Sequence, residues 1–217
     1  EELESLQVVV QYSVGVDGID VEAATAADVM VSHVPDYCVE EVSTHAIGLL
    51  LSSLRRIPAY DRSIEAGNWN YRVGAPIHRL AGSTVGFAAF GNIPQRIREK
   101  LRGFDVDVVA HDPYVDAAAM AAQDVTKVSF EELLGRSDVV SVHTPLTAET
   151  EGMFDAAAFE SMPDSAILLN CGRGGVVDEE ALEAALAAGE IAGAGLDVLA
   201  SEPPGDDSLL SRDDVVA

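Results

Sequence analysis

Residues 83–112 read STVGFAAFGNIPQRIREKLRGFDVDVVAHD, and this stretch decides the fold. The apolar run from Thr84 to Phe90 has the length and composition of a buried parallel strand. Gly91 and Asn92 predict a turn after it. Pro94 then falls in the first turn of a helix, where its missing N–H would have no intrahelical partner.

A helix and a second strand are predicted to follow this turn. Ile93, Ile97 and Leu101 recur at helical spacing, and the strand from Val106 to Ala110 is closed by Asp112. A strand, a tight turn, a helix and a strand with an acid about 20 residues after the turn is typical of a dinucleotide-binding unit. This layout predicts a pyrophosphate at the start of the helix and a ribose on Asp112.

The glycine fingerprint of such units, G-x-G-x-x-G, is incomplete here. Its three positions hold Ala89, Gly91 and Pro94, so only the middle glycine, which lets the backbone approach a phosphate, is present. Ala89 is expected to cost little provided that its φ is negative. An ordinary βαβ crossover remains an open interpretation of this stretch, and the rest of the chain has to decide.

The composition excludes several classes of protein. The chain has 37 acids against 13 lysines and arginines, a net charge of −24, which disfavours binding to nucleic acid or to anionic membranes. Because 48% of the residues are apolar and strongly patterned, the acids predict a solvated coat, as in a halophilic protein, and not disorder. Cys38 and Cys171 are too few for a disulfide framework or a zinc site, which favours a cytoplasmic location and predicts no metal.

Strands and helices alternate over the whole chain. Before the central stretch we predict two strands, from Leu6 to Gln11 and from Ala27 to Val34, and an apolar helix from Val39 to Leu54. After it, strands end near His143, Asn170 and Asp197. This alternation predicts an α/β fold with a doubly wound, parallel Rossmann-type sheet and a partial second domain. The predicted division is 1–46 for a partial substrate or catalytic domain, 47–82 for a linking helix and dimerisation arm, and 83–217 for a nucleotide-binding domain.

The chemistry is expected at the carboxyl ends of the strands, where ligands bind in such sheets. Arg173 stands at one of these ends among Gly172, Gly174 and Gly175, which favours a positioned anion-binding arginine over a plain surface arginine. His143 is interpreted as a packed residue more readily than as a catalytic one. Glu202 would by default be an ordinary loop acid in so acidic a chain.

Seven segments together resemble the NAD-dependent D-2-hydroxyacid dehydrogenase family. In chain order they read SVGVDGID, VPDYCVEEVSTHAIGLLL, VGFAAFGNIP, HDPYV, HTPLTAET, NCGRGGVVDEEAL and AGLDVLASEPP. Their order and mutual spacing carry the resemblance over essentially the whole chain. The resemblance implies a substrate domain and an NAD-binding domain with the active-site cleft between them. It implies an activity that moves a hydride between NAD and a small 2-oxo or D-2-hydroxy acid. It also implies a homodimer built on the helix from Val39 and the arm from Asn68 to Leu80.

The resemblance also implies roles for single residues. Arg173 corresponds to the catalytic and substrate-binding arginine, and Glu202 to the carboxylate that pairs with a catalytic histidine. Backbone N–H groups of Val14 and Gly15 correspond to donors to the substrate carboxylate. His45 is similar to a structural position of the family. The positions that correspond to cofactor contacts are Gly91, Asn92, Ile93, Asp112, Pro145, Thr150, Cys171, Gly172, Arg173 and Asp197.

The chain departs from the family pattern at its ends as well as at Ala89 and Pro94. About the first third of a substrate domain of ordinary size is expected to be missing. The catalytic histidine is expected in a T-P-H segment beyond Ala217, so that the chain alone is expected to be inactive. Two alternatives stay open: an NAD-sensing scaffold similar to the C-terminal binding protein co-repressors, and a decaying relative that binds nothing.

Overall fold

The computed structural model describes residues 5–205 and 208–217, which fall into two compact units. The first unit ends at Val39, and the second runs from Glu40 to Ala217. Among the described residues, no helix has the length and apolarity needed to cross a membrane.

The first unit is a small parallel βαβ arrangement. It consists of β1 (Val8–Gln11), α1 (Val21–Ala26) and β2 (Met30–His33). The two strands pair in parallel from Val8↔Met30 to Gln11↔His33. Both predicted strands are present but shorter than predicted, and α1 was not predicted. This helix buries none of its residues, so no apolar periodicity could reveal it.

The second unit contains the remaining helices and strands. In chain order they are α2 (Val39–Leu54), α3 (Ile57–Glu65), β3 (Thr84–Ala88), α4 (Asn92–Leu101), β4 (Asp107–His111), α5 (Ala117–Ala121), β5 (Thr126–Lys127), α6 (Phe130–Arg136), β6 (Val139–Val142), α7 (Ala156–Glu160), β7 (Ile167–Asn170), α8 (Glu179–Ala188), β8 (Gly193–Leu196) and β9 (Val215–Val216). Single 3₁₀ turns occupy Gly174–Val176 and Leu209–Ser211.

The second unit is built on one parallel sheet of seven strands. The strand order is β5-β4-β3-β6-β7-β8-β9, and every neighbouring pair is parallel. From β3 the chain adds strands toward one edge of the sheet, and from β6 it adds them toward the other edge. The switch point, where the direction of strand addition reverses, lies between β3 and β6. The predicted doubly wound Rossmann-type sheet is therefore confirmed, and its switch point is where a dinucleotide binds in such folds.

Buried strands and two apolar clusters hold this sheet. All four residues of β6, of β7 and of β8 are buried, as expected for a parallel sheet that is covered on both faces. One cluster centres on Phe154, Phe159 and Leu182, and the other on Leu50 and Phe87. Each side chain of this size contributes about 1.5–3 kcal/mol when it is buried.

Helix α2 lies closely along β8 and runs in the opposite direction. A Cβ atom on Gly195 would stand 3.2 Å from the Leu49 Cβ and 3.2 Å from the Ser53 Oγ, so only glycine allows this approach without a shift of the helix. At the far end, Arg56 Nη2 donates a hydrogen bond of 2.6 Å to the Ala192 carbonyl. These contacts fix the register between the helix and the strand.

The start of α2 is tied to α4 by an ion-pair network. Glu40 accepts from Arg96 Nε at 2.7 Å and lies 2.7 Å from Lys100 Nζ. Lys100 also donates to the Thr44 hydroxyl and to the Glu40 carbonyl. Hydrogen bonds from Arg96, followed by those from Lys100, lower the pKa of Glu40 to about 2.

We expect Glu40→Gln to lower the thermal stability at neutral pH and low salt. A depressed folded-state pKa means that the Glu40 contribution is fully present above the ordinary carboxyl value of 4.5 and is lost as the pH falls through about 2. The difference in Tm between the variant and the parent should therefore shrink between pH 4.5 and pH 2. Glu41→Gln, in the same helical turn, is the matched control and should leave Tm nearly unchanged. Equal effects of both variants across this range would contradict the assignment.

Candidate functional site

The carboxyl ends of five strands form one row at the edge of the sheet. Ala88 is in register with His111 on one side and with Val142 on the other. The row continues from Val142 through Asn170 to Leu196. The residues that follow these strand ends are Ala89, Asp112, His143, Cys171 and Asp197. The five strand ends therefore lie side by side at one edge of the sheet, and the roles of the residues that follow them stay predictions.

The turn after β3 differs from the expectation in one respect. The strand ends at Ala88, two residues earlier than predicted, because Ala89 adopts a left-handed φ of +74°. The condition of a negative φ at Ala89 is not met, so the small cost expected under that condition does not apply here. Two hydrogen bonds hold this turn: the Ala89 N–H donates to the His111 carbonyl at 2.8 Å, and the Phe90 N–H donates to Asp112 Oδ2 at 2.8 Å.

We expect Ala89→Gly to stabilise the protein. A left-handed conformation costs an L-residue about 1–2 kcal/mol, part of which is offset by the greater freedom of glycine in the unfolded chain. The net gain should be about 1 kcal/mol, or a rise in Tm of about 2–4 °C for a domain of this size. The neighbouring buried strand residue provides the control, since Ala88→Gly should lower Tm. A fall in Tm for Ala89→Gly would show that the left-handed backbone conformation of Ala89 does not destabilise the protein.

The start of α4 has the form of a phosphate-binding turn. Gly91 is the N-cap residue and provides no side-chain cap, and a Cβ atom built on it meets nothing within 4 Å. Pro94 lies in the first helical turn, as predicted. Backbone N–H groups and the helix dipole favour an anion at such a terminus. The absence of contacts to a Cβ atom on Gly91 is compatible with the predicted approach of a phosphate to this backbone.

Asp112 is a buried carboxylate at the end of β4. Only 8% of the residue is exposed. Besides the bond from Phe90, its Oδ1 accepts from the Tyr114 N–H at 2.8 Å and from the Val115 N–H at 3.2 Å. Asp112 therefore connects the turn after β3 with the end of β4. Its two oxygens offer about four acceptor positions, so the carboxylate retains capacity for a ribose hydroxyl.

The segment after β6 is shaped by internal hydrogen bonds. His143 Nε2 lies 2.8 Å from Ser141 Oγ, and its buried Nδ1 has no hydrogen-bond partner among the residues that the structure describes. Burial lowers the pKa of its ring to about 3. A ring that stays neutral near pH 7 supports the interpretation of His143 as a packed residue. Thr150 Oγ1 donates to the Pro145 carbonyl at 2.6 Å, which closes the loop that these two predicted cofactor contacts share.

Arg173 lies on a clamped loop after β7. Asn170, which is 1% exposed, donates from Nδ2 to the Arg173 carbonyl at 3.1 Å and accepts from the Gly172 N–H at 3.1 Å. A Cβ atom on Gly172 would stand 3.0 Å from the Thr144 carbonyl oxygen, so this loop packs directly on the segment after β6. The guanidinium of half-buried Arg173 donates to the Gly172 carbonyl at 2.9 Å. The arginine is thus held by its own loop.

The loop that carries Glu202 packs on the loop of Arg173. A Cβ atom on Gly174 would stand 2.0 Å from the carbonyl carbon of Leu199, a distance that only glycine permits. Glu202 Oε1 accepts from the Leu199 N–H at 3.0 Å. Gly174 therefore brings the segment of the predicted carboxylate against the segment of the predicted arginine.

A small polar cluster occupies the ends of β7 and β8. Burial, with a smaller effect of the Asp197 charge, raises the pKa of the Cys171 thiol to about 12, so this thiol stays protonated. Asp197 Oδ1 lies 3.2 Å from His45 Nε2 on α2. No group of three or more His, Cys, Asp or Glu side chains suited to a metal ion occurs within residues 5–205 and 208–217.

Val14 and Gly15 belong to the first unit and follow β1. The Val14 carbonyl oxygen lies 2.9 Å from His33 Nδ1, and the Gly15 carbonyl accepts from Ser13 Oγ at 3.1 Å. The Val14 carbonyl is thus paired with the end of β2, and the Gly15 carbonyl with a side chain of its own turn.

Sequence reasoning missed two parts of this site. Asn170 was noted only as the end of a strand, although a buried amide before C-G-R-G-G is a signal for a loop clamp. The contact between His45 and Asp197 gave no sequence signal, because it depends on how α2 lies along β8.

The parallel sheet, its switch point and the open helix terminus at Gly91 define a dinucleotide-binding domain. The family model for "D-isomer specific 2-hydroxyacid dehydrogenase, NAD binding domain" matches residues 47–217. The chain belongs to this family, and residues 47–217 match the model of its NAD-binding domain.

Curated relatives agree with this assignment. D-3-phosphoglycerate dehydrogenase of Mycobacterium tuberculosis is 39% identical over 211 residues, which are 97% of this chain and 40% of that protein. The enzyme of the same name from Archaeoglobus fulgidus is 38% identical over 213 residues, or 98% of this chain and 40% of that protein. The chain thus spans about two fifths of the length of these relatives.

Solved structures share the fold. D-lactate dehydrogenase of Aquifex aeolicus, in complex with NAD and lactic acid, superposes with a TM-score of 0.88 at 28% identity, covering 97% of this chain and 68% of that one. The relatives described here are dehydrogenases by name, so the alternative of a co-repressor-like scaffold gains no support.

Proposed function

We propose that the whole protein is an NAD-dependent D-2-hydroxyacid dehydrogenase, an oxidoreductase of class EC 1.1.1.-. It would move a hydride between NAD and C2 of a small 2-oxo or D-2-hydroxy acid. The observation that carries the proposal is the clamped loop of Arg173, which presents a cation at the end of β7 in an NAD-binding domain whose charge is otherwise strongly negative.

Arg173 is proposed to bind the carboxylate and the C2 oxygen of the substrate. In the direction of oxidation, the C2–H bond breaks with its electron pair and the hydroxyl proton leaves to a base. Bound NAD supplies the hydride acceptor. The guanidinium opposes the negative charge that develops on the oxygen. Backbone N–H groups of Val14 and Gly15 are proposed as further carboxylate donors, and Glu202 as the partner of the histidine that exchanges the proton.

The cofactor positions are proposed to divide along the sheet. Gly91, Asn92 and Ile93 would hold the pyrophosphate at the start of α4, and Asp112 the adenosine ribose. The wall of the site would be formed by Pro145 and Thr150, and the nicotinamide end by Cys171, Gly172, Arg173 and Asp197. A carboxylate at Asp112 would repel a 2′-phosphate, so NADH is expected to bind more tightly than NADPH.

The substrate should have the D configuration at C2. The curated relatives described above are named D-3-phosphoglycerate dehydrogenases, which makes D-3-phosphoglycerate the first substrate to assay. The test follows NADH formation by the full-length protein with D- and L-enantiomers of small 2-hydroxy acids. Turnover of the D-enantiomers supports the proposal. Equal turnover of both enantiomers, or turnover with NADP but not with NAD, would overturn it.

A homodimer built on α2 and the arm from Asn68 to Leu80 is proposed as the assembly. The support is exposed apolar surface in the same region, since Trp69 is 92% exposed and Tyr71 78% exposed. Ile57 and Ile64 on α3 are also exposed. Sedimentation velocity should give a dimer, and Trp69→Ser with Tyr71→Ser should dissociate it. A monomeric parent protein would contradict this assembly.

A halophilic and cytoplasmic setting is proposed from composition. The charge of −24 supports the first, and the presence of only two cysteines, both free, supports the second. The division into 1–46, 47–82 and 83–217 is likewise retained as a proposal, with residues 83–217 carrying the cofactor contacts.

A further inference from the structure

The carboxylate of Asp197 is held from the side by a histidine on another element. Asp197 Oδ1 lies 3.2 Å from His45 Nε2, within hydrogen-bond distance. About half of the His45 side chain and a third of the Asp197 side chain are exposed, so both are accessible to solvent. This contact joins α2 to the end of β8.

The positions of Asp197 and His45 are fixed by backbone hydrogen bonding and by the packing of α2 on β8. The Asp197 N–H donates to the Asn170 carbonyl at 2.9 Å, which fixes the residue after β8. Leu49 and Ser53 of α2 sit on Gly195, two residues before Asp197, and His45 lies one helical turn beyond Leu49. Because α2 lies antiparallel to β8, His45 is placed next to Asp197.

Asp197 faces the half of the crevice opposite to Asp112. The pyrophosphate turn lies after β3, and Asp112 follows β4 on one side of it. β6, β7 and β8 extend on the other side of the switch point. A dinucleotide that places adenosine over β4 must place its nicotinamide over these strands. Asp197, which follows β8 on that side, provides a carboxylate that can accept a hydrogen bond from a carboxamide N–H.

We propose that His45 is a positioning residue for the nicotinamide: its Nε2–H holds Oδ1 of Asp197 and leaves the second oxygen turned to the carboxamide. This inference rests on the proposed NAD-binding arrangement. His45 does not touch the reacting atoms. It fixes the rotamer of a carboxylate that would otherwise turn freely at the rim of the crevice.

The test compares NADH with ADP-ribose, which has the same adenosine and pyrophosphate but no nicotinamide. Affinities of the parent protein, His45→Phe and His45→Gln are measured by fluorescence for NADH and by calorimetry for ADP-ribose. We expect His45→Phe to weaken NADH about three- to tenfold, as for the loss of one hydrogen bond, and to leave ADP-ribose within about twofold. His45→Gln, which keeps a donor at a similar reach, should restore most of the NADH affinity.

A double-mutant cycle with Asp197→Ala, which removes the acceptor of the His45 hydrogen bond, completes the experiment. If His45 acts through Asp197, then His45→Phe has no further effect on NADH affinity in the Asp197→Ala background. Additive losses, or equal losses for NADH and ADP-ribose, would overturn the inference. If the parent protein binds neither ligand, the proposed function itself fails, which is a different outcome from a parent that binds both and is insensitive to His45.

Discussion

Arg173→Ala is expected to reduce kcat/KM of the full-length protein by about 10²- to 10³-fold, the range for loss of a donor to a developing oxyanion. NADH affinity should change by no more than about twofold, which is less than the loss of a typical net hydrogen bond, because the pyrophosphate is assigned to the start of α4. The loop should keep its shape, since Asn170 holds it through backbone atoms of Arg173 and Gly172.

Arg173→Lys is the matched variant. It keeps the charge but loses the planar fork that binds a carboxylate and a neighbouring oxygen together, so most of the loss should remain. Steady-state kinetics with the D-substrate and NADH titration of each variant separate the two effects. Unchanged kcat/KM in Arg173→Ala, or a parallel collapse of NADH affinity, would refute the assignment of this arginine.

Stability is expected to rise with salt well beyond the physiological range. The chain carries 37 acids and 13 lysines and arginines, so most carboxylates cannot pair with a basic side chain. Both lysines are already engaged: Lys100 binds Glu40, and Lys127 donates to the Val115 carbonyl at 2.6 Å. The screening length falls from about 30 Å at 0.01 M to about 3 Å at 1 M, which removes repulsion between separated acids.

Tm measured from 0.05 to 3 M KCl at constant pH tests this expectation. A halophilic coat predicts a rise that continues into molar salt, and sucrose at matched osmolality controls for general exclusion from the surface. A curve that is flat above 0.2 M would remove the halophilic proposal and leave the acidic composition unexplained.

The alternation of strands and helices could be predicted from sequence because it depends on local periodicity. The helix Val39–Leu54 was predicted with its observed ends. Other helix ends are also set by local residues: Ser129 and Glu132 form a capping box at the start of α6, and Gly189 ends α8 in a left-handed conformation. Parallel pairing followed from buried strands separated by crossovers. These features are encoded within about 20 residues of one another.

The missed features depend on contacts between distant segments. Ala89 takes a positive φ because the turn is held by Asp112 and His111, 22 residues later, and no property of alanine indicates it. The pairing of His45 with Asp197 depends on how closely α2 can approach Gly195. Local sequence patterns therefore could not predict the conformation of Ala89 or the contact between His45 and Asp197.

The central claim, that Gly91 opens onto a bound pyrophosphate, is tested most directly by NADH titration of Gly91→Val. A Cβ atom at this position meets no atom of a more distant residue within 4 Å, and the backbone at φ −81° and ψ −158° is extended, so valine should be tolerated and Tm should hold. The same side chain would occupy the space of the pyrophosphate. We predict that NADH affinity falls about tenfold to a hundredfold, in line with an overpacking cost of about 1–3 kcal/mol. A Gly91→Val protein that is stable and binds NADH as tightly as the parent would contradict the account.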